Sequence, residues 1–210
     1  MNWNYFYNLI KNQHPILTLE DFKIITQNKI SSVQLSRWVT KKLLIKFRRG
    51  VYILPENINI NPFILANKIF EPSYVSLESA LFYYGFIPDI TVAVTSITAK
   101  KTRRFEFKNQ LFIYQKVKNN IFFGYQEIKD NNWSFLIALP EKAILDYFYL
   151  HKSELNNQND WDELRINHEM YVKQVRKNKL LKLCKLFDNS KLNILVKEFD
   201  EYIRKTYASI

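Results

Sequence analysis

Gln34, Arg37 and Lys41 stand three and four residues apart, the spacing of one helical face. Their chemistry is that of nucleic-acid reading. The Gln34 amide and the Arg37 fork suit base edges in a DNA major groove, and the Lys41 ammonium suits phosphate. Ser36 and Thr40 add hydroxyls at the edges of that face. Just downstream, Lys46, Arg48 and Arg49 place three more cations on a short alternating stretch that turns at Gly50. A second basic cluster, Lys100, Lys101, Arg103 and Arg104, fits a further phosphate contact, an acidic partner, or a plain solvated loop between strands. Asp89 after Pro88, followed by Glu106-Phe107-Lys108, has the order of a PD-(D/E)xK nuclease. In such a site two carboxylates hold a divalent metal and the lysine steadies the attacking water. That pattern is loose in a lysine-rich chain, and the preferred reading assigns no catalytic residue, no metal site and no cofactor.

The elements that must position the first set lie in one stretch, SSVQLSRWVTKKLLIKFRRGVYILP, from Ser31 to Pro55. Ser31 or Ser32 caps a helix whose Leu35, Trp38, Val39 and Leu43 recur at helical spacing and face a core. Ile45 and Phe47 then alternate with Lys46 and Arg48, Arg49-Gly50 turns, and Val51 to Leu54 return as the second strand of a hairpin. Upstream, a first helix spans Asn2 to Lys11 with Tyr5, Phe6, Leu9 and Ile10 inward, and stops at His14-Pro15. Thr18 to Asp21 reads as a capping box opening a second helix, with Leu19, Phe22, Ile24 and Ile25 inward, and Gln27 to Lys29 as a turn. Two helices, a basic third helix and a basic hairpin together predict a winged helix-turn-helix.

Charge agrees with that reading. Lys and Arg exceed Asp and Glu by 11, which favours a polyanionic partner. Residues 1–60 carry nine basic and three acidic side chains, so more than half of the excess sits on the first third of the chain. Cys184 is the only cysteine, which excludes an internal disulfide and a multi-cysteine zinc site and fits a reducing cytoplasm. No signal peptide is recognisable, and no run approaches the roughly 18 apolar residues of a membrane span. The three glycines are isolated, so no phosphate-cradling loop can be built, and the three histidines lack metal-ligand spacing.

A polar connector bracketed by Pro55 and Pro62 marks a domain boundary, giving a reader over 1–56 and a second domain over 62–210. There, helices are expected from Pro62 to about Phe70, from Leu77 to Tyr84 after a Ser76 cap, and from Glu141 to Leu150. Gly85 ends the second of these, and Glu141 faces the dipole of the third. Between them, five alternating segments from Thr91 to Leu139 predict an antiparallel meander. Roughly three more helices follow, over Trp161–Val172, Asn178–Phe187 and Lys191–Tyr207. The fold class is therefore α+β, a winged helix followed by an antiparallel sheet with flanking helices and a helical C-terminus.

The basic winged helix followed by PSYVSLESALFYYGFIPD (72–89), AVTSITAKKTR (93–103) and IALPEKAILDYFYL (137–150) resembles the AbiEi antitoxins of type IV abortive-infection toxin–antitoxin systems. The resemblance runs from about Leu17 to Leu150. It implies a cytoplasmic repressor that binds inverted repeats in its own promoter, as a monomer or weak dimer acting cooperatively. It also implies a second domain that counters a cognate nucleotidyltransferase toxin. The competing readings are the metal-dependent nuclease and a plain regulator without a toxin.

Overall fold

The computed structural model describes every residue except Asn12, Gln13, Pro15, Asn28, Ile90, Thr91, Asn156 and Ile210. The expected stop at Pro15, the turn at Asn28 and the strand start at Thr91 lie outside the described residues. The first group of elements runs α1 (Trp3–Ile10), β1 (Ile16–Thr18), α2 (Leu19–Thr26), α3 (Ser32–Thr40), β2 (Ile45–Arg48) and β3 (Val51–Ile53). Local chemistry sets these boundaries. The Thr18 hydroxyl accepts from Asp21 N at 3.2 Å while Asp21 accepts from Thr18 N at 2.7 Å, closing the capping box of α2. Ser31 caps α3 through Gln34 N at 3.2 Å. Strands β1 and β2 both pair antiparallel with β3.

Phe6, Ile10, Leu17, Phe22, Leu35, Trp38, Leu44, Tyr52 and Leu54 close a small core beneath these helices. Trp38 anchors α3 there, stacked on Phe6 at 4.9 Å and edge-on to Trp3 at 5.0 Å. Three residues expected inward are exposed instead: Tyr5, Leu19 and Ile24. In α2 the buried positions are Phe22 and Thr26, four apart, and the Thr26 hydroxyl donates to Phe22 O. That stripe turns Ile24 to the opposite side of a helix only eight residues long.

After a 3-10 turn at Pro55–Asn57 come α4 (Pro62–Ile69), β4 (Ser73–Val75), α5 (Glu78–Tyr83) and β5 (Ala93–Thr98). Strands β6 (Arg103–Phe107), β7 (Gln110–Lys116), β8 (Tyr125–Asp130) and β9 (Trp133–Ala138) complete a second sheet. Its order is β6-β7-β5-β4-β9-β8. The expected antiparallel meander is incorrect, because β5 pairs parallel with β7 and β4 parallel with β9. The sheet is mixed. Two placements cause this: β4, three residues buried throughout and without alternation, separates β5 from β9, and β6 pairs with the far edge of β7, so β7 lies beside β5 in parallel. Helices α6 (Pro140–His151), α7 (Gln158–Glu163), α8 (His168–Gln174), α9 (Lys177–Lys185) and α10 (Ser190–Ala208) make the C-terminus helical.

The larger core gathers Leu65, Ile69, Tyr74, Phe86, Ile97, Phe112, Tyr114, Phe148 and Phe199, among others. It also takes in Ile16, Val51 and Ile53 from the first sheet. Strand β3 is thus buried on both faces, with Tyr52 toward the small core and Val51 and Ile53 toward the large one. Phe47 of β2 packs against Phe107 at 4.5 Å and Phe112 at 5.8 Å. Among the described residues, no helix is long and apolar enough to cross a membrane.

Candidate nucleic-acid interface

With Leu35 and Trp38 buried, α3 must turn its other side to solvent. Ser36, Arg37, Thr40 and Lys41 are exposed and Gln34 is partly so. Thr40 donates its hydroxyl to Ser36 O at 3.1 Å, so the helix itself uses that donor. The chain leaves α3 through Lys41 and Lys42. Lys42 has φ +58°, and the N–H groups of Leu43 and Leu44 both return to Trp38 O. This left-handed step delivers the chain directly into β2, so Lys42 joins the exposed cations. Sequence reasoning passed over Lys42, since a helix wheel places it away from Arg37.

Lys46 and Arg49 are exposed on the hairpin, and Gly50 takes the positive φ of +83° that the turn needs. The tip is tied back to α2, whose Leu19 N–H donates to Gly50 O at 3.1 Å. Among the described residues, no ion pair engages Arg37, Lys41, Lys42, Lys46 or Arg49. Five cations on one helix-to-hairpin passage therefore keep their charge for an outside anion.

Arg48 departs from the expectation that it contacts phosphate. Lys46 opposes Tyr52 while Arg48 opposes Val51, so the register slips by one residue between them. Opposed residues share a face, and the slip carries Arg48 from the solvent side to the Val51 side. There its Nε and one terminal nitrogen donate to Ile69 O at 3.2 and 2.6 Å, and its guanidinium lies 5.2 Å from the Phe105 ring centre.

The second basic cluster divides. Lys100, Lys101 and Arg103 line an open cavity of about 430 Å³ with Lys116 and Phe70. Lys116 comes from the end of β7 and was not legible as a member of the group. Lys100 donates to Glu71 O at 2.6 Å. Arg104 opposes Ile113, whereas Arg103 opposes Tyr114, so the two arginines point to opposite faces of β6.

The three residues of the nuclease pattern do not share a cavity. Asp89 pairs with Arg165 at 3.4 Å and lines a space of about 230 Å³ with Glu78, Tyr147 and Glu163. Glu106 is exposed on β6 and Lys108 stands in the β6–β7 turn with φ +47°.

One polar cluster was missed altogether. Lys142, Asp146, Tyr74 and Ser76 are fully buried. The Lys142 ammonium donates to Asp146 and, at 2.8 Å, to the Tyr74 hydroxyl. Tyr74 and Ser76 both donate to the second Asp146 oxygen, at 3.0 and 2.8 Å. Burial pushes the Asp146 carboxyl up and the Lys142 ammonium down, and the attraction between them opposes both shifts. The expected Ser76 cap is therefore incorrect, since its hydroxyl crosses to α6 and α5 starts after Leu77 at φ +58° without a side-chain cap. Glu141 is likewise buried, accepting from Arg176 N at 3.2 Å and pairing with Lys179 at 2.9 Å. The only helical signal was the four-residue spacing of Lys142 and Asp146, which normally marks a solvent face. Closed to solvent, the cluster ties β4 to α6 and presents nothing to a substrate.

Comparison with known families and curated proteins returned no matching family model and no matching curated protein.

Proposed function

We propose that this chain is a DNA-binding transcriptional regulator whose first 56 residues act as a winged helix-turn-helix. We further propose that it is the antitoxin half of a type IV toxin–antitoxin pair. The observation that carries the DNA reading is the continuous set of unpaired cations, Arg37, Lys41, Lys42, Lys46 and Arg49, on α3 and the hairpin. The order helix, strand, helix, helix, strand, strand supports it, since a helix held on its inner face by Leu35 and Trp38 offers its outer face to a major groove. In this reading Gln34 and Arg37 bond base edges, Ser36 and Thr40 stand beside them, and Lys41, Lys46 and Arg49 meet phosphate. The toxin-countering role of residues 62–210 rests on the resemblance to the AbiEi antitoxins, and it is a proposal about a nucleotidyltransferase partner in the cytoplasm.

Binding to duplex DNA from upstream of the chain's own reading frame tests the first half. Arg37→Ala and Lys41→Ala should weaken binding, and Gln34→Ala should flatten the preference over scrambled duplex. A lost base contact should cost ~1–3 kcal/mol on the preferred sequence, and a lost phosphate contact should act on all sequences alike. Unchanged affinity in all three variants would overturn the α3 assignment. The identity of the adjacent reading frame tests the second half, together with co-expression of its product where it encodes a nucleotidyltransferase. Rescue of growth by the full chain supports it, and DNA binding without rescue leaves a plain regulator.

A further inference from the structure

We propose that Arg48 is a positioning residue that fixes the hairpin tip from the second part of the molecule. This inference rests on the DNA reading above, but its first test does not. Ile69 is the last residue of α4, and its carbonyl has no partner within the helix. Arg48 fills that vacancy twice, through Nε at 3.2 Å and a terminal nitrogen at 2.6 Å. The other terminal nitrogen returns to Arg49 O at 3.2 Å, so one planar fork joins the tip to the α4 terminus. A cation is favoured there because the helix dipole places partial negative charge at that end. Phe105 of β6 supports the guanidinium from the side, and the Tyr114 hydroxyl satisfies the neighbouring Ala66 carbonyl at 2.6 Å. Partial burial lowers the Arg48 pKa without removing its charge.

Strand β2 is an edge of the three-stranded sheet, and among the described residues the tip is joined to α2 only through Leu19 N and Gly50 O in its backbone bonds outside the sheet. The β2 side is held further at Phe47 by packing and at Arg48 by a fork, and the two anchors lie directly before Arg49. The tip that carries Arg49 is thereby pre-set before any anion arrives. Pre-setting removes an ordering cost from binding, so Arg48 strengthens nucleic-acid binding without touching it. It also makes the α4 terminus and β6 part of the reading apparatus, since anything that moves Ile69 or Phe105 moves the tip.

The first measurement is amide hydrogen exchange over residues 45–53 in the free full-length protein. Arg48→Met should exchange faster at the tip than wild type, and Arg48→Lys, which keeps the charge but not the fork, should fall between them. Equal exchange in all three would overturn the latch whatever the protein binds. The second measurement is a salt titration of binding to the upstream duplex. Arg48→Met should bind about fivefold to thirtyfold more weakly, the effect of freezing one residue on binding. Its plot of log affinity against log salt should run parallel to wild type. A slope lower by ~0.9 would make Arg48 a phosphate contact and overturn the proposal. Unchanged affinity with faster exchange would overturn the positioning role. Failure of the wild type to bind any duplex would count against the DNA reading and leave the exchange result standing.

Discussion

Replacing Lys142 by Met should cost most of one pH-dependent ionisation, and the size of that cost follows from the cluster. Met nearly matches the lysine stem in shape, so the packing of the stem survives. The ammonium does not, and its contacts over the Tyr74, Phe123 and Phe187 rings go with it. Asp146 keeps two neutral donors, Tyr74 and Ser76, in a site with no exposure. Burial already drives its carboxyl upward, and the charge opposing that drive has gone. The folded variant then holds Asp146 protonated while the unfolded chain ionises near pH 4. A carboxyl raised in the folded state is favourable at low pH and loses that favour as pH rises. Holding the proton costs about 4 kcal/mol at pH 7 and about 1.5 kcal/mol at pH 5. The first figure agrees with the ~3–5 kcal/mol found when one partner of a buried pair is removed. It is a large share of a total stability of ~5–15 kcal/mol. Urea unfolding followed by tryptophan fluorescence at both pH values reads the difference directly. Adding Asp146→Asn to Lys142→Met should recover ~2 kcal/mol relative to the sum of the single losses, because no charge is then stranded. A Lys142→Met loss under ~1 kcal/mol, or one that does not shrink between pH 7 and pH 5, would refute the argument.

Two further outcomes follow from the same packing. Alkali should destabilise the protein progressively. Burial pushes the Cys184 thiol up to about 11 and the Tyr84 and Tyr147 hydroxyls up to about 12, so the folded state keeps protons that the unfolded chain releases from about pH 9 to 10. The melting temperature should fall steadily above about pH 9, less steeply in Tyr84→Phe, and a level curve to pH 11 would contradict it. Gly124→Ala should destabilise by about 1 kcal/mol or more, because Gly124 sits at φ +74° and an added Cβ would stand 3.2 Å from the Lys142 side chain. A thermal melt matching wild type would show that the loop yields freely.

Local chemistry was legible and long-range chemistry was not. Thr18 with Asp21, Ser31, Pro62 and Gly85 act within a turn of themselves, and each bounds a helix where the sequence places it. Gly50 likewise turns the hairpin. What failed depends on partners far along the chain. β4 and β1 are three residues each, and their strand character comes from neighbours dozens of positions away. Ser76 has the form of a cap, but an acceptor seventy residues on competes for its hydroxyl and wins. Arg48 alternates with Phe47 in sequence, and only the register slip at the β2–β3 pair reveals that it turns inward. Of the candidate face, Arg37, Lys41, Lys46 and Arg49 were readable because an amphipathic helix and a hairpin fix their outward direction locally.

The same division bears on what the resemblance can carry. Its two central blocks, 72–89 and 137–150, supply Tyr74, Ser76, Lys142 and Asp146, which are hidden from solvent and bonded to one another. A buried ionic cluster tolerates few substitutions, since losing one member strands the rest. The buried members of the two blocks therefore speak for a scaffold. Outside it stand the exposed cations between Arg37 and Arg49, with Lys100, Lys101 and Arg103 of the third block, 93–103, and Lys116 around the second cavity. Phe70 and Phe105 connect the two places physically. Phe70 lines the cavity and packs on Phe105 at 5.9 Å, and Phe105 carries the Arg48 guanidinium.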